Sequence, residues 1–195
     1  YTRNKFFNLK INTNASLLDE KMSHAILKRG VKTLVFSADA ADSALYSKLR
    51  VNGKLEKVVQ NIKRFQEIRL KNYSKSKIIT RVSGVKVIKE QKLKDMENFW
   101  GDLVDQVAFV DYLPWENVYL SKYSKIKTPC SDLWRRMFVW YDGKVNPCDV
   151  DYKSKLSVGN IKDKNISELW KSNEYNKLRK QHELKLRNEA SPCNR

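Results

Sequence analysis

Short apolar segments alternate with longer amphipathic ones through the first 110 residues, and few folds accommodate that order. Strand candidates at 6–13, 33–37, 78–82 and 104–110 are separated by stretches whose apolar residues recur at helical spacing. Strands that alternate with helices of this length pair in parallel through right-handed crossovers. The sequence therefore predicts an α/β sheet or barrel whose functional site lies at the carboxyl ends of the strands.

The helices between these strands carry their own start signals and apolar stripes. The first is predicted over 17–29, where Ser16 and Asp19 have the spacing of a capping box. A later helix has one apolar face, formed by Leu55, Val58, Val59, Ile62, Phe65 and Ile68. Both patterns favour helices that bury one side against a sheet.

The pattern changes after Pro114, where a smaller unit begins. Two short strand candidates, 137–141 and 144–148, flank Asp142-Gly143, which is a strong signal for a β-hairpin. A closing helix is predicted to start near Asn165 and Glu168 and to continue through Leu178. We therefore expect two domains, at 1–120 and 121–195.

The chain is strongly basic, with a formal net charge of +17 from 39 Lys and Arg against 22 Asp and Glu. The basic residues are spread over almost every segment, with thicker runs at 71–77, 122–127 and 177–187. This distribution favours a solvated basic surface, so a nucleic-acid partner is not expected. No apolar run reaches the roughly 18 residues of a membrane span, and we expect a cytoplasmic protein.

Three cysteines, Cys130, Cys148 and Cys193, fall in the second predicted domain. An odd number of thiols does not suit a disulfide framework, which leaves metal ligation or plain burial. Soft thiolate ligands select zinc or iron–sulfur clusters, and a tight hairpin would present two of them together. The spacing alone leaves these alternatives open.

The spacing of the first two cysteines resembles a known signature. Cys130, twelve residues, Gly143, four residues and Cys148 are similar to the opening Cys-x(9–15)-Gly-x4-Cys of SPASM domains, and 158–161 and 166–170 follow in the family's order. In the family a Cys-x2-Cys pair comes next, and here the printed sequence ends two residues after Cys193. The resemblance implies an auxiliary [4Fe-4S] cluster bound by Cys130, Cys148 and Cys193.

The upstream half resembles the later strands of a radical S-adenosylmethionine (radical SAM) enzyme, starting near the third strand. The phrases that carry this resemblance are 11–14, 17–18, 30–39 and 61–62. It implies the C-terminal part of a partial (β/α)6 TIM-like barrel. The family's Cys-x3-Cys-x2-Cys motif for the catalytic [4Fe-4S] cluster is absent from these 195 residues, as is its glycine-rich second-strand motif. Since the first residue is Tyr1 rather than Met, we expect a longer protein and an inactive isolated piece.

The resemblance also implies a chemistry and a set of contacts. Such enzymes reduce S-adenosylmethionine to a 5′-deoxyadenosyl radical that abstracts a hydrogen atom from the substrate. By resemblance, Ser37 with Asp39, Asn14 and Arg81 are expected to contact S-adenosylmethionine. The substrate would be a peptide or a small molecule, and a reductase, ferredoxin or flavodoxin would donate electrons. No residue of this chain is expected to be catalytic, and neither His24 nor His182 is assigned a role.

Two other interpretations remain at this stage. The three cysteines and the basic surface are compatible with a zinc-binding or nucleic-acid-binding module. The second interpretation is a non-catalytic relative of the family that kept the scaffold and serves as a binding protein. The first of these gives no reason for the ordered strand and helix units that precede Cys130.

Overall fold

The computed structural model describes residues 5–194, apart from the side chain of Trp115. The chain divides into two compact units, Tyr1–Tyr112 (unit 1) and Leu113–Arg195 (unit 2).

Unit 1 is a four-stranded parallel sheet with helices, in the strand order β1-β2-β3-β4. The predicted α/β class with a parallel sheet is confirmed. The elements in chain order are β1 (Lys10–Thr13), α1 (Glu20–Lys28), β2 (Thr33–Ser37), α2 (Ser43–Leu49), α3 (Leu55–Asn72), β3 (Ile79–Lys86), α4 (Leu93–Gly101) and β4 (Gln106–Asp111).

The two faces of this sheet differ because side chains alternate along each strand. Leu34, Phe36 and Val82 point to one face and are fully buried in a core that includes the predicted stripe of α3. The opposite face is more polar, and on it Ser37 lies in register with Ser83. The helices therefore supply the core, and the other face and the strand ends remain for a site.

The first helix begins later than the sequence predicted. Asp19 is its N-cap, with a carboxylate that accepts a hydrogen bond from the Met22 backbone N–H at 2.7 Å. Ser16 is not a cap, because its backbone N–H and its hydroxyl both donate to Oδ1 of Asn14. This local turn holds residues 14–16 outside the helix. The predicted Ser16 capping box is therefore wrong.

Unit 2 contains a three-stranded antiparallel sheet, in the order β5-β6-β7, and two short helices. The predicted hairpin is confirmed, and β7 is a strand that the sequence did not predict. The single closing helix is in fact two, because Ser172 caps the second one by accepting from the Tyr175 N–H. The elements are β5 (Phe138–Val139), β6 (Lys144–Asn146), β7 (Gly159–Asn160), α5 (Ile166–Trp170) and α6 (Asn173–Glu183), with 3-10 turns at Trp115–Asn117, Ser131–Trp134 and Arg187–Glu189.

Gly143 turns the hairpin and explains why the cysteine signature requires a glycine between its two thiols. Its φ is +88°, in the left-handed region that other residues resist. A Cβ placed there would lie 2.5 Å from Oδ1 of Asn160 on the adjoining strand. A side chain at this position would strain the turn and displace the Asn160 amide group.

Among residues 5–194, no helix is both long enough and apolar enough to cross a membrane.

Candidate functional site

Asp39 links three segments at the carboxyl ends of the unit 1 strands. Its Oδ1 accepts a hydrogen bond from the Val85 backbone N–H at 2.8 Å. Its Oδ2 pairs with the Arg50 guanidinium, at 2.7 Å from both Nε and Nη2. Asp39 thus ties the loop after β2 to β3 and to the end of α2, with Ser37 two residues away on the same edge.

Gln91 is a buried residue that hydrogen-bonds to backbone groups at the same edge. It is 1% exposed, and its Nε2 donates to the carbonyls of Asp39 and Val85, both at 2.7 Å. Its Oε1 accepts from the backbone N–H groups of Val87 and Ile88. All four hydrogen bonds go to backbone, so Gln91 fixes the positions of the two segments that follow β2 and β3.

The other two predicted S-adenosylmethionine contacts are placed differently. The Asn14 side chain is engaged in its local turn with Ser16. Arg81 lies in register with Val35 and Gln106, two residues before the Ser83 position that faces Ser37. Its Nε is buried and has no hydrogen-bond partner among the described residues. Arg81 therefore lies on the polar face of the sheet, short of its carboxyl edge.

Sequence reasoning missed Arg50 and Gln91 at this edge. Arg50 is the residue after α2, a helix whose short sequence shows no clear apolar period. Gln91 lies in a loop between β3 and α4, where a polar residue is unremarkable. Their roles follow from tertiary contacts, and no local pattern indicates them.

In unit 2, Cys148 lies in a loop held by buried polar side chains. Asn146 is fully buried, and its Nδ2 donates to the Asp151 carbonyl and to the Ser154 hydroxyl, each at 3.0 Å. The Asp151 carboxylate accepts from the Lys155 N–H at 3.0 Å and from the Leu156 N–H at 2.7 Å. The loop that carries the thiol is thus fixed by its own hydrogen bonds.

The Cys148 thiol has an environment with opposing effects. Burial raises its pKa, while hydrogen bonds from the backbone N–H groups of Val150 and Asp151 act to lower it. The net result is a raised pKa. Hydrogen bonds of this kind to sulfur are a recurring feature of iron–sulfur ligands, whose reduction potential they tune.

Cys193 and Cys130 lie within electrostatic reach of Cys148. The pKa of Cys193 is raised to about 12, mainly by burial and then by the charges of Cys148 and Cys130, which together outweigh the lowering effect of the Arg187 guanidinium. All three cysteines are half-buried and none forms a disulfide. The structure thus brings the predicted ligands into one region of unit 2.

The backbones of Cys130 and Cys193 are held by two side chains from the α6 region. The Cys130 backbone N–H donates to Nδ1 of His182 at 3.1 Å. Arg187 donates from Nε to the Cys193 carbonyl at 3.2 Å and from Nη1 to the Thr128 carbonyl at 3.1 Å. Burial, and secondarily the charge of Arg187, lowers the pKa of His182.

The donor set suits an iron–sulfur cluster in kind, since it consists of three neighbouring thiols with N–H groups directed at one of them. As arranged among residues 5–194, no group of three or more His, Cys, Asp or Glu side chains is positioned to hold a metal ion. The thiols would therefore have to move toward a common centre when the cluster binds.

Comparison with known proteins accounts for this unit. Residues 130–195 match the family profile of SPASM, an iron–sulfur cluster-binding domain. The C-terminal part of the chain is therefore similar to SPASM domains. The predicted resemblance of this region is confirmed, and the match starts at Cys130, the first of the three thiols. No curated protein matches the sequence of the chain.

The fold of the chain is that of radical SAM enzymes. SuiB of Streptococcus suis, solved with its precursor peptide SuiA, is similar with a TM-score of 0.63 and 16% identity, over 87% of this chain and 49% of SuiB. The enzyme anSMEcpe, solved with bound S-adenosylmethionine, is similar with a TM-score of 0.60 and 15% identity, over 86% of this chain and 55% of its own. The chain spans about half the length of these structures.

Proposed function

We propose that the protein containing this chain is a radical SAM enzyme that modifies a peptide, with an auxiliary [4Fe-4S] cluster in its SPASM domain. The observation that carries the proposal is the order of the two parts: a sheet with the radical SAM fold precedes a SPASM match that begins at Cys130. The catalytic cluster would be bound by residues outside these 195. Bound S-adenosylmethionine would supply a 5′-deoxyadenosyl radical that takes a hydrogen atom from the substrate.

Unit 1 would contribute the floor of the reaction chamber as part of a partial barrel. We propose that Ser37, at the carboxyl edge, contacts the S-adenosylmethionine ribose. Asp39 would act by holding the edge in shape, because its carboxylate is already bound by Arg50 and by the Val85 N–H. Asn14 and Arg81 are proposed as further contacts, Arg81 through the buried Nε that has no partner among the described residues. A rigid, preorganised edge of this kind suits a reaction that must exclude water and side reactions.

In unit 2, Cys130, Cys148 and Cys193 would hold the auxiliary cluster. The support is the match to a cluster-binding family, together with the mutual electrostatic influence of the three thiols. The auxiliary cluster would ligate the substrate or relay electrons, and a reductase, ferredoxin or flavodoxin would donate electrons to the enzyme. A peptide substrate is proposed because SuiB, which shares the fold, was solved with a precursor peptide.

The test uses the full-length gene product, purified without oxygen. We expect a brown protein that contains iron and sulfide and forms 5′-deoxyadenosine from S-adenosylmethionine in the presence of a strong reductant. Cys130→Ala or Cys148→Ala should reduce iron and sulfide content by the amount of one cluster while cleavage of S-adenosylmethionine persists. A colourless zinc protein that leaves S-adenosylmethionine intact would overturn the proposal in favour of a zinc-binding module.

Ser37 is tested separately in the same assay. Ser37→Ala should raise the KM for S-adenosylmethionine by about tenfold, since one buried hydrogen bond to a ligand contributes about 1 kcal/mol or somewhat more. Ser74→Ala is the matched control, because Ser74 is exposed in the loop that precedes β3, at the opposite edge of the sheet. Equal KM values for the two variants would remove Ser37 from the site.

A further inference from the structure

The end of the chain returns to the place where α6 ends. The Lys185 N–H donates to the His182 carbonyl and the Leu186 N–H to the Gln181 carbonyl, each at 3.0 Å. A 3-10 turn at Arg187–Glu189 follows, and four residues later comes Cys193. The turn therefore places Arg187 between the helix end and the thiol-bearing tail.

Arg187 joins two segments that are far apart in sequence. Its guanidinium donates to the carbonyl of Cys193 itself and to that of Thr128, two residues before Cys130. Because an arginine presents its donors in a rigid planar fork, these two carbonyls are held at a fixed separation. One side chain thus sets the spacing between the loops that carry the first and third thiols.

His182 fixes the first of these loops from the other side. It is fully buried, and its Nδ1 accepts from the Cys130 backbone N–H. A neutral imidazole that accepts at Nδ1 carries its proton on Nε2, and here Nε2 is buried with no partner among the described residues. A buried histidine whose one hydrogen bond goes to the backbone of a cysteine is more than ordinary core filling, because burying a polar ring is costly.

We propose that Arg187 and His182 are positioning residues of the auxiliary cluster site, holding the backbones of Cys193 and Cys130 while leaving both thiols free to bind iron. This inference rests on the proposed function of the SPASM-type domain. The contacts go to backbone atoms, so they do not compete with iron for the thiols. The arginine also places a positive charge near the Cys193 thiol, which becomes anionic on ligation and is stabilised by that charge.

The experiment compares four variants of the full-length protein after anaerobic reconstitution. Arg187→Gln removes the fork and the charge, and Arg187→Lys keeps the charge alone. His182→Leu removes the acceptor, and His182→Asn restores an acceptor near the Nδ1 position. The matched control is Arg179→Gln, since Arg179 also donates to two backbone carbonyls of unit 2, those of Leu133 and Trp170.

We expect Arg187→Gln and His182→Leu to weaken loading of the auxiliary cluster by about tenfold or more, the usual cost of losing an outer-shell partner. His182→Asn should recover most of it. The cluster that does load in Arg187→Gln should have a more negative midpoint potential, whereas Arg187→Lys should keep the wild-type potential. A purely structural arginine would alter loading without moving the potential, and a potential that is the same in both Arg187 variants overturns the electrostatic part.

Metal-free protein provides a readout that does not depend on the cluster. Arg187→Gln should increase the rate at which Cys193 reacts with iodoacetamide by about tenfold or more, because the tail that buries the thiol is released. Arg179→Gln should leave that rate unchanged. If wild-type protein binds no iron, the proposed function fails, while this rate still decides whether Arg187 holds the tail. Equal rates in the wild type and Arg187→Gln overturn the inference.

Discussion

The two units solve the problem of staying folded in different ways. Unit 1 buries a continuous apolar core between its sheet and helices, with Phe36, Phe65 and Trp100 almost fully enclosed. Unit 2 has a much smaller core, and its sheet has strands of two or three residues. A core of that size supplies little stability by itself. Its described buried apolar residues are Leu133, Val145, Val158, Leu169, Tyr175, Leu178 and Ala190.

The buried polar atoms show the same contrast. Among residues 5–194, unit 1 has one buried side-chain polar atom without a partner, Nε of Arg81, and unit 2 has five. Such atoms are uncommon in folded proteins. Unit 2 therefore satisfies its buried polar side chains less completely than unit 1 does. Its five atoms are Trp140 Nε1, Asn146 Oδ1, Arg179 Nη2, His182 Nε2 and Asn194 Oδ1.

The two units should differ most in their response to removal of the proposed cluster. If the thiols ligate iron, the free energy of cluster binding contributes to the free energy of folding of unit 2. Unit 2 should therefore unfold locally far more often once iron is removed. We expect the amides of β6 and α6 to lose protection from hydrogen exchange by about tenfold or more when iron is removed. The amides of β2 in unit 1 should be unaffected. Equal protection with and without iron would show that unit 2 stands on its small core alone.

Gly84 is a position at which a single added methyl group should destabilise unit 1. A Cβ there would lie 2.1 Å from the Ala38 backbone oxygen, which cannot swing aside as a side chain could. Gly84→Ala should lower the free energy of unfolding of unit 1 by about 3 kcal/mol, near the upper end of the usual cost of overpacking. Gly101→Ala is the control, since nothing lies within 4 Å of its Cβ position. Urea unfolding of both variants checks this.

Asp151 is the corresponding position in unit 2, where polar contacts replace apolar ones. Asp151→Ala leaves the N–H groups of Lys155 and Leu156 without an acceptor and removes the partner of the Tyr119 hydroxyl. We expect unit 2 to lose about 2 kcal/mol of stability, the usual range for buried donors left unsatisfied. Exposed Asp163, changed to Ala, should cost almost nothing. A cost at Asp151 no larger than at Asp163 would contradict the importance of the polar loop.

The sequence predicted unit 1 more closely than unit 2, for physical reasons. β2 was predicted at its exact bounds, 33–37, because an apolar run with polar neighbours at both ends leaves little choice. In unit 2, the Asp142-Gly143 turn identified the hairpin, since only a few residues allow that backbone. β7 was not predicted because Gly159–Asn160 is too short to show alternating apolar and polar side chains. Its pairing with β6 is set by tertiary contacts.

The same distinction holds for the candidate sites. The thiols at 130, 148 and 193 were predicted as ligands because their arrangement resembles that of SPASM domains, and cysteines in such a pattern are chemically distinctive. The residues that hold them were not, since His182 and Arg187 contact backbone atoms and carry no spacing rule. At the sheet edge, Ser37 and Asp39 were expected, while the Arg50 partner of Asp39 needed the folded structure.

The smallest effect on stability is expected for substitution of Asp105 in unit 1. Burial alone would raise the pKa of its carboxyl, but hydrogen bonds from the Thr80 N–H and hydroxyl, and the pairing with Arg69, outweigh burial and lower it. The three contacts all reach Oδ2, at 2.7, 2.8 and 2.9 Å. The carboxylate thus connects the start of β3 to α3 and to the turn before β4.

A carboxyl whose pKa is lower in the folded state stabilises the fold above its unfolded pKa of about 4, and this contribution is lost as the pH falls through the folded value. Asp105→Asn should therefore cost unit 1 about 1 kcal/mol at pH 7, a typical value for partly exposed charged hydrogen bonds. The difference between wild type and variant should shrink as the pH is lowered from 5 to 2, because the wild-type carboxyl becomes neutral as well. This difference is measured by urea unfolding of both proteins at several pH values, with hydrogen exchange of the β3 amides as the readout. A gap that stays constant with pH would mean that the shape of the side chain, rather than its charge, joins these elements.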